Sequence, residues 1–245
     1  MTEVLRQLLP PFLWTSIKRL RDARPRYYGL DNIDQRIEKY LGHRDGFFVE
    51  LGAANGINQS NTLYFERYKG WKGVLVEPTP HNYLLCRQNR ASTTQVFCNA
   101  CTSFDYEGEF VRVMYSNLMT TPFGLESDIV DPVAHAQSGR QHLEQHEDLF
   151  VFGALATTLN EILLKADAPR TIDLLSLDVE GAELEVLKGI DHEMFRFKLM
   201  CIECRSRDKM IAYLEPLGYQ LLEQLSGRDY LFGLKAATST PSSND

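Results

Sequence analysis

The feature that most constrains this chain is an apolar run that ends in acids. Residues 172–177 are mostly leucine and isoleucine, and Asp178, Glu180 and Glu183 follow directly. Such a run predicts a strand covered on both faces, and acids at its carboxyl end lie where open α/β sheets bind ligands. Residues 183–189 then predict a helix closed by a glycine. We therefore expect these acids at a strand-to-helix turn that forms part of a ligand site.

Composition limits the class of protein and its partners. The 245 residues are 44% hydrophobic and 24% charged, which is ordinary for one large α/β domain with a buried core. A net charge of −7 argues against a broad phosphate-binding surface, so we do not expect a nucleic-acid partner. No apolar run is long enough to span a bilayer, and the amino terminus lacks the features of a signal peptide. We expect a cytoplasmic protein and leave its oligomeric state open.

The chain divides into three parts. Residues 1–29 are expected to form an apolar and basic amino-terminal extension. Residues 30–235 are expected to form one domain, large enough to be an enzyme. Residues 236–245 are small and polar, which predicts a disordered tail. Within the domain, residues 115–152 show no regular pattern and are rich in polar groups, so we interpret them as a substrate lid or insertion.

The five cysteines include two C-x-x-C pairs, Cys98 with Cys101 and Cys201 with Cys204. About a hundred residues separate the pairs, and both lie in strand-like runs where positions three apart face opposite ways. These are core thiols of a reducing compartment rather than zinc ligands or disulfides.

Along the rest of the domain, apolar runs alternate with Gly-, Pro- and polar-rich segments, and this pattern predicts the helices and strands. Helices are expected at about 30–44, 60–68, 82–89, 157–163 and 208–217, and strands at 47–51, 73–77, 94–101, 108–114, 198–203, 219–223 and 230–234. The last two strands flank a turn-prone Ser226–Asp229 segment, which favours an antiparallel hairpin. The pattern predicts a seven-stranded, mostly parallel sheet with helices on both faces and a carboxyl-terminal antiparallel hairpin.

A glycine loop and a later acid indicate a nucleoside-type ligand. Gly52 and Gly56 follow the first strand, and Glu77 ends the second. Glycines allow close approach of a ligand to the backbone, and a carboxylate at this place can accept both hydroxyls of a ribose. The loop lacks the G-x-G-x-x-G pattern of NAD enzymes and the lysine of a P-loop, which weakens both alternatives.

Three segments together resemble a known family. They are residues 48–56, residues 76–78, and residues 172–189 with their acids. Over roughly residues 46–235 the chain is similar to the FkbM family of S-adenosylmethionine-dependent methyltransferases. The resemblance implies a class I methyltransferase fold, which is Rossmann-like, and methyl transfer to oxygen. Glu50 stands where the family usually has aspartate, and residues 115–152 match no motif.

The resemblance also implies roles for residues that match the family motifs. The methionine end of the cofactor is expected near Glu50, Gly52, Ala53 and Asn55, the ribose at Glu77, and the adenine at Asn99 and Ala100. The start of the following helix, at Ser60, Asn61 and Thr62, is expected to take the cofactor carboxylate, because free N–H groups and the helix dipole favour an anion there. Asp178 is expected closest to the transferred methyl group.

Two chemical versions of the reaction remain open. In one, a side chain acts as a general base and takes the proton of the attacking hydroxyl. The main candidates are Asp178, Glu203 and Glu180, and His135 is a less favoured one. In the other, Asp178 and Glu203 hold a divalent metal such as Mg²⁺, which lowers the pKa of the hydroxyl. Glu180 and Glu183 can equally serve the helix by complementing its dipole.

The acceptor is the least constrained part. Polar side chains of the 115–152 segment favour a sugar or glycan, and aromatic side chains could stack on its ring: Tyr115, Phe123, Asp128, Asp131, His135, Arg140, His142, Phe150 and Phe152. A polyketide-type or other small natural product is the alternative acceptor. The rival from another class is an inactive cofactor-binding scaffold that acts through protein contacts.

Overall fold

The computed structural model describes residues 26–235. In chain order the strands are β1 (Phe47–Leu51), β2 (Lys72–Val76), β3 (Gln95–Phe97), β4 (Ala100–Thr102), β5 (Phe110–Tyr115), β6 (Thr121–Phe123), β7 (Phe150–Thr158), β8 (Thr171–Leu177), β9 (Arg196–Glu203), β10 (Tyr219–Gln224) and β11 (Asp229–Leu234). The α-helices are α1 (Ile33–Glu38), α2 (Leu63–Lys69), α3 (Pro80–Asn89), α4 (Pro132–Ser138), α5 (Leu159–Lys165), α6 (Glu183–Leu187) and α7 (Arg207–Leu214). Short 3-10 turns lie at Leu30–Asn32, Asn117–Met119 and Gly139–His142.

The main sheet has seven strands in the order β10-β11-β9-β8-β1-β2-β3. Its inner strands are parallel, and β11 runs antiparallel between β9 and β10. The predicted mostly parallel sheet and its terminal hairpin are therefore confirmed. Strand order reverses between β1 and β8, and the register sets Leu51 beside both Val76 and Leu177. The three strands thus end together at this switch point, where open α/β sheets bind ligands.

Alternating residues of the strands enter two cores, one on each face. Val49 and Leu175 belong to the core covered by α5, α6 and α7, whereas Phe48 and Leu174 belong to the core covered by α1, α2 and α3. All four side chains are fully buried. Because both faces are covered, the strands read as continuous apolar runs rather than as alternating ones.

A second sheet, of four strands in the order β4-β7-β5-β6, was only partly predicted. The single strand expected at 94–101 is divided, because β3 pairs with β2 whereas β4 pairs with β7. The ribbon expected at 108–114 is β5. The expected helix start at Thr157 is wrong, since β7 continues to Thr158, whose hydroxyl then caps α5 by accepting from Glu161 N at 3.1 Å.

Two other expectations need correction. The helix expected at 30–44 is shorter in the structure, where α1 covers only Ile33–Glu38. Asp31 and Asn32 have left-handed φ values of 51° and 56°, which separate Leu30 from the helix. Residues 115–152 are not without regular structure: they contain β6, α4 and two 3-10 turns, and they end in β7.

The remaining expectations concern thiols and chain ends. All five cysteines are free, as predicted. Among residues 26–235, no helix has the length and apolar character needed to cross a membrane. Most of the proposed extension, residues 1–25, and the whole proposed tail, residues 236–245, lie outside the described residues.

Candidate active site

A large cavity opens at the carboxyl edge of the main sheet, where β1, β2 and β8 end. Its volume is about 1020 Å³, including the open solvent at its mouth. Most of the residues singled out from the sequence line it: Glu50, Gly52, Ala53, Ser60, Asn61, Glu77, Asn99, Ala100, Asp178 and Glu180. Asn55, Thr62 and Glu203 are not among the lining residues.

The glycine loop places the β1 and β8 ends in direct contact. Gly52 has a φ of +76°, and a Cβ added to it would lie 1.8 Å from the carbonyl oxygen of Asp178. Only glycine fits this position. Asn55 acts inside the loop, where its Oδ1 accepts from the backbone N–H groups of Ile57 and Asn58 at 3.0 and 2.9 Å. Its side chain therefore shapes the loop that borders the cavity.

Glu50 is buried and holds the start of α2. Its carboxylate accepts from the Ser60 hydroxyl at 2.9 Å, the Thr62 hydroxyl at 2.6 Å and the Asn61 N–H at 2.9 Å. The fully buried Arg90 guanidinium lies 3.2 Å away and neutralises its charge. The groups expected to take a cofactor carboxylate are thus already partnered with Glu50, which makes Glu50 a structural anchor of this wall.

Glu77 lies at the end of β2 with its carboxylate at the cavity. One oxygen accepts from Ala54 N and the other from Thr79 N, both at 2.9 Å. Burial raises its pKa from 4.5 to about 7, although those hydrogen bonds favour the ionised form. Each oxygen keeps a free lone pair, so the carboxylate can still accept from the two hydroxyls of a ribose.

Asn99 and Ala100 lie at the junction from the main sheet to the second sheet. Both line the cavity on the side of Glu77 and Pro78. The Asn99 amide donates to Leu155 O at 3.3 Å, which ties this wall to β7. This wall therefore lies beside Glu77 at the edge of the cavity.

Asp178 is exposed, but toward the concave cavity rather than toward a convex surface. Desolvation by the surrounding protein, followed by repulsion from Glu203, Glu180 and Glu183, raises its pKa well above the usual range. Desolvation and repulsion from Glu180 also raise the pKa of Glu203. These carboxyls compete for ionisation, as close acids do.

Glu183 supports the loop rather than the cavity. It is buried, and its Oε1 accepts from the backbone N–H groups of Val179 and Gly181 at 2.9 and 3.1 Å. Asp178, Glu183 and Glu203 each offer an oxygen within 4.8 Å of the others, a spacing that a metal ion could use. Both backbone donors bind Oε1 of Glu183, so Oε2 is the oxygen that it could offer to a metal without giving up these bonds.

Glu180 is held by a histidine and an arginine from distant segments. His135 Nε2 of α4 lies 2.6 Å from its Oε2, and Arg205 Nη2 lies 3.3 Å from the same oxygen. Glu180 itself adopts a φ of 54°, an uncommon conformation for a non-glycine residue that tends to occur at functional sites. The 115–152 segment therefore contacts the loop that carries Asp178, Glu180 and Glu183, called the acid loop below, at the cavity wall.

Sequence reasoning missed Arg90, and it expected Asp128 near the acceptor rather than in the structural role that it has. Arg90 neutralises Glu50 from 40 positions away, and Asp128 accepts from Arg205 N at 2.6 Å across 77 positions. Asp128 N also donates to Gly181 O at 3.0 Å, so the residue holds the acid loop from outside. Neither lies in a local pattern that marks it.

Several polar and aromatic groups of the 115–152 segment have partners within the protein. Asp131 caps α4 by accepting from Ala134 N at 2.9 Å, and Tyr115 stacks on Phe150 with ring centroids 5.0 Å apart. The cavity wall from this segment instead consists of Asn117, Leu118, Thr120, Pro122 and Leu125. These are the residues available to an acceptor.

Comparison with known proteins decides the family. Residues 50–221 match the family model described as the methyltransferase FkbM domain. The chain belongs to the FkbM methyltransferase family. The match spans most of the chain and includes the glycine loop, Glu77 and the acid turn. The class I methyltransferase fold expected from the sequence is thereby confirmed, with the strand order given above.

Solved structures give more distant likenesses to this FkbM methyltransferase. A methyltransferase FkbM from Methylobacillus flagellatus KT is 17% identical with a TM-score of 0.44, over 77% of this chain and 43% of that one. A methyltransferase from Geobacter sulfurreducens is 12% identical with a TM-score of 0.44, over 96% of each chain. The METTL16 MTase domain is 13% identical with a TM-score of 0.44, over 83% of this chain and 66% of that one. The comparison with curated proteins finds no match.

Proposed function

We propose that the protein transfers a methyl group from S-adenosylmethionine to a hydroxyl oxygen of a sugar or glycan. The observation that carries the proposal is the placement of Glu77 and Asp178 on either side of the Gly52 turn, facing one cavity. A ribose-binding carboxylate and a second acid at neighbouring strand ends suit an adenosyl cofactor whose reactive end points toward β8. The cofactor supplies an electrophilic methyl group when it is bound.

The residues present fit this cofactor. Glu77 would accept from the ribose hydroxyls, and Asn99 with Ala100 would border the adenine. The backbone at Gly52 and Ala53 would lie against the methionine part, since the loop has no side chain that blocks close approach. Asn55, Ser60 and Thr62 would act on this part only indirectly, through the loop and Glu50.

Positioning supplies much of the rate of an in-line methyl transfer, and the cavity walls provide it. The acceptor hydroxyl must also lose its proton as the new carbon–oxygen bond forms. We propose Asp178 as the group that takes that proton, because its raised pKa makes its ionised form a stronger base than an ordinary carboxylate. Glu203 and Glu180 are neighbouring acids whose repulsion helps to raise the pKa of Asp178.

The metal version differs in one testable respect. It requires Asp178 and Glu203 to be ionised together around a divalent cation. In the version preferred here, a carboxylate alone takes the proton, and chelation with EDTA leaves methyl transfer unchanged. Loss of activity with EDTA and its return with Mg²⁺ would favour the metal.

The proposed class of acceptor rests on the residues that line two sides of the cavity, one from the 117–125 segment and one from the 58–61 segment. Uncharged hydrogen-bonding side chains alternate there with apolar ones: Asn58, Gln59, Asn61, Asn117, Leu118, Thr120, Pro122 and Leu125. Such a mixture suits the polar edges and apolar faces of a sugar ring. The same wall would also accept a polyketide-type hydroxyl compound, which is the second candidate. Free thiols favour a reducing compartment, so we propose that the reaction takes place in the cytoplasm.

The test is transfer of labelled methyl from S-adenosylmethionine onto a panel of glycans, sugars and polyketide-type alcohols. We expect transfer to a sugar hydroxyl, and a loss of about 10²- to 10⁴-fold in Asp178→Ala, the range of a general base. Asp208→Ala is the matched control, since that side chain is 84% exposed and lies away from the cavity. Transfer only to a nitrogen or carbon atom, or full activity in Asp178→Ala, would contradict the proposal. Cofactor binding without transfer would favour the scaffold.

A further inference from the structure

The charge of the cavity wall is one-sided. Four of its lining residues are acids, namely Glu50, Glu77, Asp178 and Glu180, and none of its described lining residues is lysine, arginine or histidine. A concave wall of one sign concentrates ligands of the opposite sign. The wall therefore distinguishes ligands by charge as well as by shape.

Three of the four acids have an arginine or backbone N–H donors of the protein beside them. Arg90 lies 3.2 Å from Glu50, and Glu180 has His135 at 2.6 Å and Arg205 at 3.3 Å. Glu77 accepts two backbone N–H groups. These three carboxylates need nothing from a ligand to be stable in their places.

Asp178 differs from the other three acids. Within residues 26–235 the neighbouring cations pair elsewhere: Arg205 with Glu180 and Asp128, and Arg228, at 4.0 Å, with Glu203. Its nearest charged neighbours are acids, and its carboxylate faces the cavity. The described residues thus leave two ways to relieve the charge of Asp178, a proton or a cationic ligand, and a cation is the group that stabilises its ionised form.

We infer that Asp178 makes this cavity selective for a positively charged methyl donor over the uncharged sulfide product. The inference rests on the proposed function, because it assigns the sulfonium of S-adenosylmethionine to the Asp178 side. S-adenosylhomocysteine has the same nucleoside and amino acid but lacks the sulfonium charge. Loss of that charge on methyl transfer weakens the hold of the cavity on the product, which limits product inhibition.

The size of the effect follows from the distance and environment of the charges. A unit charge a few ångströms from a carboxylate in a partly desolvated site gives about a ten- to hundredfold preference for the cation, after part of the attraction is lost to desolvation. Sinefungin carries an ammonium group in place of the methylated sulfonium, so it tests whether the preference follows positive charge without sulfur, and a charge-removing substitution of Asp178 then separates charge from the shape of the added group.

The test is calorimetric titration of the full-length protein at pH 8 with S-adenosylmethionine, S-adenosylhomocysteine and sinefungin. We expect both cationic ligands to bind at least about tenfold tighter than S-adenosylhomocysteine. In Asp178→Asn the preference falls to about threefold or less, because the shape is kept and the charge is lost. Asp208→Asn, an identical change on an exposed side chain, retains the wild-type ratio.

The outcomes separate this inference from the proposed function. If S-adenosylhomocysteine binds wild type as tightly as the cationic ligands, the inference is wrong while the proposed function stands. If Asp178→Asn keeps the wild-type ratio, Asp178 is not its source and the inference is likewise wrong. If none of the three ligands binds well-folded wild type, the proposed function fails, and the inference fails with it. The comparison among ligands in wild type needs no variant to fold.

Discussion

His135 Nε2 and Glu180 Oε2 lie 2.6 Å apart, and this contact joins the 115–152 segment to the acid loop of the cavity. The two residues are 45 positions apart, and both side chains are mostly shielded from solvent. A contact of this kind couples the order of α4 to the loop that carries Asp178.

The first prediction concerns that contact. His135→Ala should speed amide hydrogen exchange in residues 127–142, because α4 has only seven residues and few buried groups to hold it. Exchange is measured by mass spectrometry. His146→Ala is the control, since that side chain is 79% exposed. Unchanged exchange in His135→Ala would show that other contacts hold the segment.

The second prediction concerns Arg90, whose fully buried guanidinium lies 3.2 Å from Glu50 and 3.0 Å from Glu66. Arg90→Met should lower the free energy of unfolding by about 3–5 kcal/mol, because two buried carboxylates lose their partner. Denaturant unfolding measures the change. Arg87→Met, an exposed residue in α3, the helix that ends just before Arg90, should alter stability by less than about 0.5 kcal/mol. Equal effects of the two substitutions would contradict the assigned role of Arg90.

The third prediction concerns the Gly52 turn. Gly52→Ala should destabilise the protein by about 2 kcal/mol or more and abolish cofactor binding, because a Cβ cannot occupy the space of the Asp178 carbonyl and φ is positive. Gly227→Ala is the matched control, since a Cβ there meets no atom within 4 Å. Thermal unfolding and calorimetry together report both effects, and wild-type binding in Gly52→Ala would refute the described turn.

The fourth prediction is a dependence of stability on pH. Burial raises the pKa of Glu77 from 4.5 to about 7, so between these values the folded state binds more protons than the unfolded state. Stability from this group is therefore fully present below about pH 4.5 and is lost as the pH rises through 7, with a slope of at most about 1.4 kcal/mol per pH unit.

Denaturant unfolding of the cofactor-free protein from pH 5 to pH 8 checks this sign. Asp178 and Glu203 have raised pKa values as well and add to the same trend. Glu77→Gln should flatten the slope, whereas Glu107→Gln, at an exposed position of a loop, should leave it unchanged. Rising stability over this range would contradict the assignment.

The main sheet and its ligand edge were predictable because they depend on local signals. Apolar runs mark strands covered on both faces, and Glu50, Glu77 and Asp178 mark the strand ends that the sheet brings together. The second sheet was only partly predictable, because β4 and β6 have three residues each. Strands so short carry too little pattern to be recognised.

The elements within residues 115–152 could not be predicted from the sequence, and the lid role of this segment stays a prediction. Its order depends on polar contacts at long range, such as Asp128 with the backbone of Arg205, rather than on an apolar face. The roles of Arg90 and His135 have the same origin, because each is fixed by a partner far away in sequence. Contacts of this kind leave no periodic trace in the chain.

The most direct test of the account is calorimetric titration of the wild-type protein with S-adenosylmethionine, repeated on Glu77→Ala. We predict one site per chain, and binding about ten- to a hundredfold weaker in Glu77→Ala, because a carboxylate that accepts from ribose hydroxyls contributes about 1.5–3 kcal/mol. Glu107→Ala, a change at an exposed position of a loop, should bind like wild type. Absence of binding to well-folded wild type, or undiminished binding in Glu77→Ala, would contradict the cofactor site described for this edge of the sheet.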